Sequence, residues 1–257
     1  MIKRFIIKAL NRMGYDLTPR GRRSSLEGVL QSAGQNGLSP ATIIDAGAGR
    51  GDFARSAMRH FPDAACVMIE PLEEFQGQLA QTCRDFPKSR IVQAVASAQP
   101  GQAMLHVHPD LFGSSLFLER EESDVNGQPR QVEAVTLEGL AAHLPLSPPY
   151  LMKVDVQGAE LDVLRGAQAI LPQTELVILE CSFFNFFDRG PLFHEIVAYM
   201  SQNGFLLYDL FGLAYRPLDG ALAQVDAVFA RQDGPLRRHS HYATAQQRQD
   251  LTKRLRA

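Results

Sequence analysis

With 257 residues and 45% hydrophobic content, the chain is long enough to bury one substantial α/β core, so a single main domain is expected. A formal net charge of −2 provides no global attraction for nucleic acid, whose phosphates call for a basic face. No apolar run approaches the roughly 18 to 20 residues that span a bilayer, and the start lacks a signal-peptide cleavage pattern, which makes the cytoplasm the expected location.

In the first segment Ile2, Phe5, Ile6, Ala9, Leu10 and Met13 recur at helical spacing, while Lys3, Arg4, Lys8, Arg12, Arg20, Arg22 and Arg23 face Asp16 alone. This predicts a basic amphipathic extension over 1–40. Such a helix suits weak contact with anionic lipid on the inner face of the membrane, or docking on the domain with its polar side solvated.

From residue 41 to 231 the chain reads as one α/β domain. Strands are expected at Thr42–Ala46, Cys66–Glu70, Arg90–Ala96, Tyr150–Val156 and Leu176–Cys181, alternating with helices near Asp52–His60, Leu72–Arg84, Ala159–Ile170 and Pro191–Asn203. A β-rich insertion is expected between the third and fourth of these strands, with extended runs at Ala103–His108, Ser114–Leu118 and Gln131–Thr136, a turn at Asn126-Gly127 and a short helix at Glu138–His143.

After Asn203 no helix separates Phe205–Leu210 from Gln224–Ala230, so these two strands should pair antiparallel. The expected fold is a doubly wound, Rossmann-like, mostly parallel seven-stranded sheet ending in an antiparallel hairpin, the class I methyltransferase arrangement. A basic tail over 232–257 carries Arg237, Arg238, Lys253, Arg254 and Arg256.

The first strand runs into Asp45-Ala46-Gly47-Ala48-Gly49-Arg50-Gly51. Glycines at a strand-to-helix turn let backbone approach a ligand, and the helix behind them offers amides and partial positive charge. A dinucleotide pyrophosphate is served by G-x-G-x-x-G. The spacing here is D-x-G-x-G-x-G, which suits the amino-acid end of S-adenosylmethionine, with Asp45 meeting its ammonium.

Glu70, at the end of the second strand, is placed to accept ribose hydroxyls, and Pro71 helps start the next helix. Val95, among the small residues of Ala94–Ser97, leaves room for adenine. The expected cofactor contacts are therefore Asp45, Gly47, Ala48, Gly49, Gly51, Glu70, Pro71, Val95 and Asp155.

Lys153-Val-Asp155-Val-Gln157-Gly158-Ala-Glu160 forms a second acidic strand-to-helix turn. With Asp45–Gly51, Glu70-Pro71 and Val135–Leu140, it resembles the FkbM-like methyltransferase family over roughly Thr42 to Arg231. The resemblance implies methyl transfer from S-adenosylmethionine to a hydroxyl of a sugar, glycan or small natural product. Members often carry Asn where this chain has Gly49.

A hydroxyl acceptor must lose a proton, so a carboxylate or imidazole is needed within reach. Asp155 is the best-placed candidate, Glu180 at the end of the fifth strand the second and His194 shortly after it the third. Ser114 and Ser115 of the insertion, with Phe183 and Phe184 of the run Phe183–Phe187, are candidate acceptor contacts; core packing or a homodimer contact explains the phenylalanines equally well.

The His106-Val-His108 pair has no evident third metal ligand, and no metal site is expected. Cys66, Cys83 and Cys181 form no C-x-x-C pair and read as small core residues. Two competing functions remain: a nicotinamide-dependent oxidoreductase on the same sheet edge, and a cofactor-binding protein without turnover.

Overall fold

The computed structural model describes residues 25–121 and 124–256. The basic helix expected within the first 23 residues lies outside these. The extension's remainder forms α1 (Leu26–Gln35), which begins where Ser25 Oγ accepts a hydrogen bond from the Gly28 amide at 3.2 Å.

Next come β1 (Thr42–Ala46), α2 (Asp52–His60), β2 (Ala65–Ile69), α3 (Gln76–Asp85), β3 (Ser89–Val92), β4 (Val95–Ala96), β5 (Gly101–Val107), β6 (Gln128–Val135) and α4 (Leu137–His143). The second half holds β7 (Tyr150–Val154), α5 (Glu160–Arg165), β8 (Thr174–Ser182), α6 (Phe193–Gln202), β9 (Phe205–Tyr215), β10 (Leu222–Arg231) and α7 (Ala245–Arg256).

The main sheet has seven strands in the order β3-β2-β1-β7-β8-β10-β9. Its first five are parallel, and β10 runs antiparallel between β8 and β9. The expected doubly wound sheet with a terminal hairpin is thus present. Strand order reverses at the β1/β7 junction, so a crevice opens beside the carboxyl ends of both strands, where open α/β sheets bind ligands.

The central strands read as apolar runs because both faces are covered. Along β1, Ile43 packs with Val29, Leu30, Phe53 and Met58 under the helices on one side, while Ile44 packs with Val163, Leu164, Ile196 and Met200 on the other. Cys66 and Cys181 are fully buried in these layers and Cys83 is half-buried; all three are free thiols.

Four expectations need correction. The run Arg90–Ala96 is not one strand: the Ala94 amide turns back onto the Val92 carbonyl at 3.0 Å, so β3 stays in the main sheet while β4 joins β6 and β5 in a separate three-stranded sheet. Ser114–Leu118 is not a strand but a bent segment that pairs with β5 through an isolated bridge from His106 to Ser115.

The helix expected to reach Ile170 stops at Arg165, where Gly166 leaves helical geometry at φ −80° and ψ 8°; that glycine also lies so close to the Ser97 carbonyl that a Cβ there would sit 2.1 Å from its oxygen. Finally, β9 continues through Phe211-Gly212 rather than ending at Leu210. Gly212, at φ +62°, absorbs the irregular register against Asp226.

Candidate active site

Two strand-to-helix turns meet at the switch point and hold each other. Gly47 has φ +79°, and a Cβ on it would lie 1.8 Å from the Asp155 carbonyl oxygen. The Gly47 and Ala48 amides both donate to the Ile69 carbonyl, and the Gly49 amide donates to Glu70 Oε2 at 2.8 Å. Glu70 Oε1 accepts from the Leu72 amide at 3.0 Å, so this buried carboxylate ties β2 to the glycine turn.

A cavity of about 300 Å³ opens between the turns, lined by Gly47, Gly49, Glu70 and Pro71 on one side and by Asp155, Gln157 and Glu180 on another. Ala94, Val95 and Ala96 form an apolar end. The insertion supplies the roof: Leu111, Phe112 and Ser114 line the cavity, with the Phe112 ring tilted against Phe75 at 5.2 Å and the Arg50 guanidinium 4.8 Å from its centre.

Charge at the crevice is unbalanced. Lys153 Nζ lies 3.1 Å from Asp155 Oδ2 and 3.0 Å from Asp226 Oδ1, and it also feels Asp45 and Glu180. Burial alone would lower the lysine's pKa, but the attraction of Asp155, Asp226 and Glu180 outweighs it and raises the value well above the ordinary one. Four carboxylates therefore share one ammonium.

The carboxyls respond accordingly. Burial pushes Asp45 up to about 7 against the pull of Lys153, and Asp45 Oδ2 is buried with no hydrogen-bond partner among the described residues. Burial and then Asp155 push Glu180 far above the usual range; its Oε2 accepts from Gln157 Nε2 at 2.8 Å and Gln224 Nε2 at 3.0 Å. Gln157 Nε2 also donates to Asp155 Oδ1 at 2.9 Å, and the residue sits at φ +52°.

Glu160 is a fastener of the second turn. Its Oε1 accepts from the Val156 amide at 3.3 Å and the Gly158 amide at 3.0 Å, and burial raises its carboxyl to about 7.

Of the residues singled out from sequence, Gly47, Gly49, Glu70, Pro71, Val95, Ser114, Asp155 and Glu180 share this cavity. Ala48 and Gly51 shape the turn without lining it; a Cβ on Gly51 would approach Leu79 and Thr82 at 3.1 and 3.0 Å. Ser115 Oγ donates to the Gln157 carbonyl at 2.5 Å and so braces the second turn from behind.

Four candidates lie elsewhere; one of them, Asp45, is 1% exposed and does not line the cavity. His194 is on the exposed side of α6, because its neighbours Ile196 and Met200 take the buried side. Phe183 stacks on Phe193 at 4.9 Å and packs into the core, and Phe184 lies beneath Arg216, 3.7 Å from the guanidinium. The roof is instead Phe112, and the residues missed from sequence are Phe112, Phe75, Gln157, Gln224 and Asp226. Asp226 carried a signal, since a carboxylate on an otherwise apolar strand needs a partner.

Among the described residues no cluster of His, Cys, Asp and Glu is arranged to hold a metal ion. None of their helices is long and apolar enough to cross a membrane.

The family model for the methyltransferase FkbM domain matches residues 45–207, well over half of the chain. The chain belongs to the FkbM methyltransferase family. The match begins at Asp45 and takes in both turns, the insertion and β8; the β10 partner of Lys153 lies beyond it.

No curated protein matches. Among solved structures, the magnesium protoporphyrin IX methyltransferase of Synechocystis PCC 6803 is similar at 11% identity and a TM-score of 0.46, over 89% of this chain and 96% of that one. A precorrin-6y C5,15-methyltransferase of Geobacter metallireducens gives 12% and 0.43 over 80% and 86%. A 1,6-didemethyltoxoflavin-N1-methyltransferase of Burkholderia thailandensis gives 15% and 0.40 over 90% and 88%.

Proposed function

We propose that this FkbM-family protein is an S-adenosylmethionine-dependent O-methyltransferase whose catalytic domain spans residues 41–231 and whose acceptor is a hydroxyl of a sugar, glycan or small natural product. The observation that carries the reading is the acid-rich switch point, where Asp155 and Glu180 line the cavity and, with Asp45 and Asp226 outside its lining, outnumber Lys153. Such a site favours a ligand that brings positive charge. S-adenosylmethionine carries an ammonium and a sulfonium, and it supplies an electrophilic methyl group when bound.

The residues present fit that group. Asp45, 1% exposed and with an orphaned buried oxygen, would lend its charge to holding the ammonium; Glu70 retains acceptor capacity and would take the ribose hydroxyls beside the amides it already holds; Val95 and its alanine neighbours would take the adenine. Asp155 and Glu180 border the place where the methyl group meets the acceptor. The main contribution of the chain is to hold the reacting atoms in line and at near-attack distance.

A dinucleotide reading is disfavoured by the same charges, because a pyrophosphate would face these carboxylates. Isothermal titration of the full chain with S-adenosylmethionine, NAD and NADP tests the cofactor: micromolar binding of the first alone is expected, and binding of a nicotinamide alone sinks the reading. Release of S-adenosylhomocysteine with hydroxylated acceptors separates a working enzyme from a protein that only binds.

A further inference from the structure

A second cleft, of about 320 Å³, lies on the far side of Gln157. The two spaces meet at one side chain. Gln157 lines both, Glu180 lines the first and Gln224 the second, and both glutamine amides donate to Glu180 Oε2.

One turn serves both spaces. Leu111, Phe112 and Ser114 look into the cofactor cavity, whereas His108, Asp110 and Gly113 line the cleft. The turn is internally pinned: the His108 amide donates to Ser114 Oγ at 3.0 Å, the Gly113 amide donates to Asp110 Oδ1 at 3.0 Å, and a Cβ on Gly113 would press on the His108 ring at 2.9 Å.

His108 is held as a proton acceptor would be. Its Nδ1 lies 2.7 Å from Asp110 Oδ1 and 3.1 Å from the Asp110 backbone amide; the shorter contact, to the carboxylate, favours the tautomer with the proton on Nδ1 and the lone pair on Nε2. Among the described residues the carboxylate nearest Nε2 is Glu119, at 4.0 Å and beyond hydrogen-bond reach. Glu119 is itself fixed, since its backbone amide donates to Asn126 Oδ1 and its carbonyl accepts from Asn126 Nδ2.

The rest of the cleft sets the acceptor's character. Phe186, Phe187 and Tyr215 offer apolar ring surface, with Tyr215 62% exposed. Arg216 is already engaged, its Nε and Nη2 donating to Asp219 at 2.8 and 2.6 Å. With that cation balanced, Asp110 and Glu119 leave the cleft negative. It suits an uncharged, hydroxyl-bearing ring and repels phosphate or carboxylate.

We infer that this cleft is the acceptor site of the reaction proposed above and that His108 is its general base, taking the hydroxyl proton of an uncharged ring acceptor. In that step the acceptor O–H proton moves to His108 Nε2 and an oxygen lone pair forms the O–CH3 bond. The S–CH3 electron pair returns to sulfur, leaving a neutral thioether, an ether and an imidazolium balanced by Asp110. The inference rests on the methyltransferase reading.

The test uses the full-length protein, with methyl α-D-glucopyranoside and its 6-phosphate as probes and release of S-adenosylhomocysteine as the assay. In protein saturated with S-adenosylhomocysteine, the neutral probe is expected to shift the His108 imidazole resonance and the phosphate to leave it unmoved. His108→Ala should lower turnover of the neutral probe about 100-fold or more, with recovery by added imidazole and a cofactor Kd within about twofold of wild type.

His108→Gln, which keeps the side chain's bulk, should be equally slow, and it controls for a disturbed turn. Retained turnover in either variant, failure of imidazole to restore His108→Ala, tighter binding of the phosphate, or no response to the neutral probe in cofactor-binding protein overturns the inference. Loss of S-adenosylmethionine binding by the wild type would instead refute the reading on which it rests.

Discussion

Gly47 and Asp155 are packed so closely that a methyl group on the first would overlap the carbonyl oxygen of the second, 1.8 Å from the ideal Cβ position. The positive φ of Gly47 adds a backbone penalty of about 1–2 kcal/mol for any L side chain. Gly47→Ala should therefore push the two turns apart. We expect a stability loss of about 2–4 kcal/mol with loss of cofactor binding, read by chemical denaturation and titration calorimetry.

Gly49 predicts the opposite. It has φ +51°, where Asn is among the better-tolerated side chains, and a Cβ meets only the Phe112 ring, at 3.6 Å. Gly49→Asn should leave Tm within a few degrees and retain cofactor binding. A large fall in Tm would show that the turn cannot take the side chain.

Lys153 is the single ammonium among Asp45, Asp155, Asp226 and Glu180, and its side chain is 9% exposed. Lys153→Met leaves buried carboxylates uncompensated. Removing one partner of such a pair costs about 3–5 kcal/mol. Urea unfolding at neutral pH measures it, and the deficit should shrink in acid as the carboxyls take up protons.

Asp45 and Glu160 both have carboxyls raised to about 7 by burial. Between their unfolded values, about 4, and 7 the folded chain binds more protons than the unfolded chain, so both groups make stability fall as pH rises through that window. Asp45→Asn should flatten part of the slope. For a cationic cofactor the trend reverses: affinity should increase from pH 6 to 8 as Asp45 ionises, and Asp45→Asn should weaken binding and remove that dependence.

Glu70 accepts two backbone amides, so Glu70→Ala loosens the chain as well as the ribose grip. A stability loss of about 1–3 kcal/mol is expected, together with weaker cofactor binding. Asp155→Asn should behave differently, lowering kcat more than it changes cofactor Kd. Equal effects on both constants would assign Asp155 to binding alone.

Much of the scaffold was legible because Ile43-Ile44 and its parallel neighbours are short apolar runs, two of them followed by glycine turns at Gly47 and Gly158. Asp45, Glu70, Asp155 and Glu180 sit at strand ends, which the alternation of elements sends to one edge. His194 failed that logic. It follows β8 in sequence, but the helix it begins turns its face outward, a fact set by Ile196 and Met200 rather than by proximity.

Ser114 of the roof was legible, but Phe112 was not, for a different reason. Phe112 and His108 occupy a turn with Leu111 at φ +71°, and nothing local shows which side of that turn faces which space. Likewise Asp226 meets Lys153 only because β10 inserts next to β8, a pairing set by the whole sheet. Phe183 and Phe184 drew attention as an apolar run, yet packing against Phe193 and Arg216 uses that surface up.

The turn from His108 to Ser114 is ceiling to one chamber and wall to the other, so any change in its length displaces both at once. The turn joining β9 to β10 has no such double duty. Pro217 borders only the second space, and Leu218 beside it is 83% exposed. Diversification between relatives, or retargeting by a protein engineer, has its freest ground there, where a longer or shorter connection re-cuts one opening and leaves the donor's berth as it was.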